Sequence, residues 1–178
     1  MEQAYYFIII GALLFEFILS TLSSILNMKS ISKVVPDGFQ DYYDEEKYAK
    51  SQLYLQDKTK LGLFSSTFSL LLILSVIHFG LFGKLDEFVR SNSSNYITSG
   101  LLFFGILFLV NDVLNIPFSV YNTFVIEEKY GFNKTSVNTF ISDKFKGYGL
   151  TIVLGSAIIV PVLYFFNTFQ ENGWWIAW

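Results

Sequence analysis

The sequence predicts an all-α, polytopic membrane protein, and three observations carry that prediction. Residues 4–26, 62–82, 97–118 and 148–169 form four apolar stretches, each about 20 residues or slightly longer. A helix rising ~1.5 Å per residue spans a hydrocarbon core of ~30 Å at that length. The 178 residues are 52% hydrophobic and only 15% charged, against ~25% charged in an ordinary soluble domain. Basic residues sort by connection. Lys29, Lys33, Lys47, Lys50, Lys58 and Lys60 follow the first stretch, and Lys129, Lys134, Lys144 and Lys146 follow the third. Only Lys84 and Arg90 lie after the second. This asymmetry predicts that connections 27–61 and 119–147 are cytoplasmic and the N-terminus is outside or lumenal. The membrane is expected to be a bacterial inner membrane or the eukaryotic ER.

The first stretch is expected to be a permanent span. A cleaved signal would carry a basic leader and a shorter apolar core, whereas Met1-Glu2-Gln3 has neither Lys nor Arg. In the connection 27–61, the segment 40–61 lacks Gly and Pro and predicts a helix that runs into the second span. Asp37 or Asp41 would cap it, with acids at Asp41, Asp44, Glu45 and Glu46 favouring its positive end. Small residues at Gly62, Ser65, Ser66 and Ser69 would let a neighbouring helix approach. Connection 83–96 is expected to be short, with a flexible stretch at Ser91-Asn92-Ser93-Ser94-Asn95. In 119–147, Phe124–Tyr130 reads as a helix that ends at Gly131, and a new helix starts from a cap at Asn133 or Thr135. The tail Gly173-Trp174-Trp175-Ile176-Ala177-Trp178 reads as the entry of a fifth span, and hence as the front part of a longer protein.

Ionisable groups inside a span are costly and mark a partner, a cavity or a pathway. Glu16, Asp112 (beside Asn111 and Asn115) and His78 are the candidates. Asp112 and Asn111 would line a wet chamber or a proton path, or else pair with each other or with backbone freed near Pro117, or lie close to an interface. Glu16, in mid-span, calls for a chamber or a polar partner. His78 lies near the outer interface. No catalytic or metal-binding residue is expected in this chain. A zinc hydrolase site needs about three protein ligands, and the sequence has one His, no Cys and no HExxH pair. The net charge of −3, without a basic patch, excludes a nucleic-acid partner.

Three segments are more specific than any of these residues. They are Val35-Pro36 with Tyr43-Asp44-Glu45-Glu46-Lys47-Tyr48-Ala49-Lys50-Ser51-Gln52 and Tyr54, then Pro117-Phe118-Ser119 leading into Phe124-Val125-Ile126-Glu127-Glu128-Lys129-Tyr130-Gly131-Phe132-Asn133-Lys134-Thr135, and finally Phe140 with Asp143 and Lys144. In content, order and placement between spans, the sequence resembles the N-terminal membrane portion of the type I CAAX prenyl proteases, integral-membrane zinc endopeptidases. The resemblance covers essentially the whole chain. It implies helices around an intramembrane chamber, with the zinc-bearing HExxH segment in a downstream catalytic part. Zinc is therefore expected in the full-length protein and no cofactor in this chain. Implied partners are the lipid bilayer, the downstream catalytic part and a peptide substrate, either prenylated CaaX or a membrane peptide.

On this reading the chain is a non-catalytic scaffold. Glu127, Glu128, Gly131, Phe132, Asn133, Asp143 and Lys144 form a docking floor, and Glu127 or Glu128 pairs with a base of the catalytic part. The alternative is a self-contained transport or assembly subunit using Glu16 and Asp112 as its path.

Overall fold

The computed structural model describes residues 2–170 and 173, and among them all regular structure is helical. The elements are α1 (Glu2–Lys29), α2 (Glu45–His78), α3 (Leu81–Asn92), α4 (Tyr96–Tyr121), a π-helical turn (Asn122–Glu127) and α5 (Val137–Phe169). Four helical stretches, Gln3–Lys29, Glu45–His78, Tyr96–Glu127 and Val137–Phe169, are long and apolar enough to cross a membrane. The tail 174–178, where the entry of a fifth span was expected, lies outside the described residues. Large apolar side chains such as Phe7, Ile8, Ile152 and Ile158 point outward along α1 and α5. In water that surface would be unstable, but hydrocarbon solvates it, and the helices satisfy their own backbone groups.

The chain divides into two compact units, Met1–Phe79 with Asn115–Asn133 and Gly80–Leu114 with Lys134–Trp178. In the first unit α1 packs on α2. The connection between them is anchored by Val35, only 2% exposed, and reverses at a turn in which the Phe39 amide donates to the Pro36 carbonyl. Gly38 supplies the left-handed residue of that turn, φ +86°. The cap of α2 is Asp44 rather than Asp37 or Asp41, its carboxylate accepting from the Lys47 amide at 3.0 Å. The amides of Tyr42 and Tyr43 both return to Phe39, so residues before Asp44 belong to turns and the helix cannot start at 40.

From Asp44 one helix runs without a break into the apolar segment and stops at His78. Gly80, at φ +61°, turns the chain left-handed there, short of the expected end at 82. Most of connection 83–96 is helix α3, which takes in Ser91 and Asn92 from the stretch expected to be flexible and leaves Ser93–Asn95 outside any helix.

In the second unit the Asn95 side chain accepts from the Ile97 and Thr98 amides and caps α4. Pro117 is held inside α4, and the helix widens into the π turn after it. A wider turn of this kind is tolerated within a long helix and often marks a functional position. The cap of α5 is Ser136, accepting from the Thr139 amide at 3.2 Å, in place of Asn133 or Thr135. The predicted cytoplasmic helix and fourth span are thus one element. Gly100 lets α5 lie against α4, for a Cβ there would fall 2.5 Å from Leu163 Cδ1.

Candidate functional site: a polar clamp in each unit

Asp57 lies five residues before the apolar segment that opens at Gly62, on the face of α2 that meets the residues after the π turn. Its Oδ2 accepts from Lys129 Nζ and from the Tyr130 hydroxyl, each at 2.7 Å, and Lys60 Nζ stands 3.8 Å from Oδ1. Tyr130 is 5% exposed. Its ring meets Tyr54 edge-on at 5.5 Å, and Phe132 meets Tyr54 at 4.9 Å. Edge-to-face contacts of this kind add ~0.5–1.5 kcal/mol beyond area burial.

The hydrogen bond from Lys129, followed by that from Tyr130, holds the Asp57 carboxyl below the ordinary carboxylate range. Asp57 in turn raises the Lys129 ammonium. Burial, then the Asp57 bond, raises the Tyr130 phenol. Near neutral pH the group is a fixed carboxylate, a fixed ammonium and a neutral phenol. It can hold two segments together but offers no base or nucleophile.

Five of the expected docking residues, Glu127, Glu128, Gly131, Phe132 and Asn133, gather around this clamp. Glu127 accepts from the Asn122 side chain at 2.9 Å and faces Lys58 at 3.9 Å. The first contact joins residues five apart, which the wide turn brings to one face. Glu128 accepts from the Asn133 side chain at 2.9 Å. Both glutamates thus have polar partners inside the chain.

Gly131 ends the helix with φ +72°. The Phe132 amide returns to the Glu127 carbonyl at 2.8 Å and the Gly131 amide to Glu128 at 3.0 Å, satisfying carbonyls a helix end leaves open. The space around Gly131 is free, with only Lys50 Nζ within 3.8 Å of an added Cβ, so substitution there strains the backbone alone. Gly131→Ala is expected to destabilise by ~1–2 kcal/mol and a β-branched Val by more, with Asn the best tolerated. Thermal unfolding in detergent in the order Asn, Ala, Val checks this, and equal midpoints would contradict it.

A groove of about 670 Å³ beside the clamp has Asp57, Lys60 and Lys129 among its lining residues, together with Phe64, Pro117 and Ile126. Phe118 stacks on Phe68 and Phe64 at 5.3 and 6.0 Å. The small residues Gly62 and Ser65 face Asn115 and Ser119 across a second groove of about 480 Å³.

Asp143 and Lys144 belong to the other unit. Asp143 meets Lys146 at 3.5 Å on an exposed face. Lys144 donates to Asp112 Oδ1 at 2.7 Å, and the Tyr148 hydroxyl donates to Oδ2 at 2.6 Å. Asp112 in α4 is thus tied twice to α5, and Lys144 is an intramolecular partner. Asn111 also has an interaction of its own. Glu16 lies on an exposed face of α1, and His78 ends α2 with its ring against Phe79 at 5.1 Å.

Sequence reading missed Asp57. It sits among Lys58 and Lys60, one turn beyond Tyr54, and nothing local marks its partners 72 and 73 residues on. Among the described residues no group of three or more His, Cys, Asp or Glu could hold a metal ion. The residues present therefore do not fit a zinc site.

Residues 24–178 match the family model described as CAAX prenyl protease N-terminal, five membrane helices. CAAX prenyl protease 1 of Saccharomyces cerevisiae is 30% identical over 79% of this chain and 33% of its own length. The probable CAAX prenyl protease 1 of Schizosaccharomyces pombe is 34% identical over 80% and 33%. The human CAAX prenyl protease 1 homolog is 33% identical over 72% and 28%. The chain thus spans about a third of the length of these relatives. The crystal structure of S. mikatae Ste24p superposes with a TM-score of 0.85 at 27% identity, covering 96% of this chain and 41% of that one. With its helical fold and the Pro117–Thr135 segment built around the π turn, the chain belongs to the N-terminal membrane region of the CAAX prenyl protease family.

Proposed function

We propose that this chain is the non-catalytic membrane scaffold of an integral-membrane zinc endopeptidase. The observation that carries this reading is the family match over 24–178, joined to a rigid polar surface at 122–133 strapped to α2 by Asp57. Helix ends clamped by a carboxylate, a Schellman turn at Gly131 and the Tyr54–Phe132 contact make a firm floor for another part of the same protein. Zinc and its ligands belong to that downstream part, and the substrate is a prenylated CaaX or membrane peptide.

Basic residues put 27–61 and 119–147 on the cytoplasmic side, with the N-terminus outside or lumenal. Asp112, held by Lys144 and Tyr148, is a strut between helices, and no observation favours the transport alternative.

The test is cleavage of a prenylated CaaX peptide by the full-length protein, with and without a zinc chelator. Cleavage lost to the chelator and restored by zinc is expected, with none from residues 1–178 alone. Chelator-resistant cleavage, or cleavage by 1–178 alone, would overturn the reading.

A further inference from the structure

Helix α3 has no role in that account, and its chemistry is distinctive. On a wheel of 3.6 residues per turn Phe88, Leu81, Leu85, Val89 and Phe82 fall on one arc. Glu87 and Arg90 occupy the opposite side, with Lys84 and Asp86 at its borders, and Arg90 Nε donates to both Asp86 oxygens at 2.9 and 2.8 Å. Only one edge of the apolar arc is used within the unit. Val89 is 2% exposed, whereas Phe88 is 60% and Leu81 42% exposed.

The helix is tied to the start of a span. Ser99, itself buried, donates from its hydroxyl to the Ser93 carbonyl at 3.1 Å, and the Asn95 cap of α4 lies between them. At 12 residues α3 is about 18 Å long, too short to cross a hydrocarbon core of ~30 Å. A short two-faced helix fixed within a few residues of a spanning helix sits at the depth of the head groups.

We infer that α3 is an interfacial membrane anchor, with Leu81, Phe82 and Phe88 inserted at the head-group–acyl boundary and the Lys84–Glu87–Arg90 side in water. The occupant of its apolar face is lipid, because α3 ends only a few residues before the spanning helix α4, whose own large side chains at Leu102 and Phe104 also point outward. It fixes the membrane depth of the start of α4.

The sequence has no cysteine, so single-cysteine labelling is direct. Phe88→Cys, Leu81→Cys and, as the water-side control, Glu87→Cys are each labelled with a small fluorophore in the protein reconstituted into phosphatidylcholine vesicles. Lipids brominated near the top of the acyl chain should quench labels at 88 and 81 about threefold more than at 87, and iodide should show the reverse order. Leu81 serves where the Phe88 variant fails to fold. Iodide quenching at 88 and 81 equal to that at 87 would overturn the proposal. So would labels reached by neither quencher, which would mean that protein covers the face.

Discussion

Asp112→Leu is expected to be the most damaging single substitution in the second unit. It strands the Lys144 ammonium beside an apolar helix and leaves the Tyr148 hydroxyl without its acceptor. Removing one partner of a desolvated ion pair costs about 3–5 kcal/mol, less here to the extent that Lys144 can snorkel toward the head groups. The double variant Asp112→Leu with Lys144→Met removes both charges at once. It should be more stable than Asp112→Leu alone, because the stranded charge rather than the lost bond dominates the cost. Thermal unfolding of the three proteins in detergent reads this. Additive losses in the double variant would show that the strut is not coupled.

The second large effect is at Asp57. Asp57→Ala leaves the hydroxyl of the buried Tyr130 without its charged acceptor, which costs about 1–3 kcal/mol. Asp57→Asn retains an acceptor and should lose less. The pH dependence follows from the directions of the shifts.

Asp57 titrates below the ordinary carboxylate value, so its contribution is present above that value and lost as pH falls through the lowered one. Lys129 and Tyr130 titrate above their ordinary values, so theirs are present below about pH 10 and lost at higher pH. The clamp should be level from about pH 5 to 9 and weaken on both sides. Unfolding midpoints of wild type minus Asp57→Ala across that range check it, and a difference that changes through pH 6–8 would contradict it.

Much of the architecture was legible because the bilayer imposes it. Span length, the charge asymmetry and the Gly131 stop each follow from a local pattern. Helix starts were misplaced where several capping residues compete. Asp44 prevails over Asp41 because the Phe39–Tyr43 turn has already used the backbone ahead of it, and Ser136 prevails because its hydroxyl is the one that reaches the Thr139 amide in the first turn of α5. The α3 helix was hidden in a serine- and asparagine-rich connection whose amphipathic part is only 12 residues long.

Asp112 does meet polar groups, but their identity is a tertiary fact. Lys144 answers Asp112 from 32 residues away, and Asp57 receives Lys129 from 72. Glu127 and Glu128, singled out for an outside contact, are satisfied within the first unit. The exposed aromatic ring of Phe132, 51% exposed over that surface, is left as the stronger anchor for a partner.

That ring gives the most direct test of the docking floor. A photoreactive benzoyl-phenylalanine in place of Phe132, in the full-length protein in membranes, reports what touches it after irradiation and peptide mapping. The scaffold account predicts crosslinks to peptides from beyond residue 178. Crosslinks confined to lipid or to residues 1–178 would contradict it.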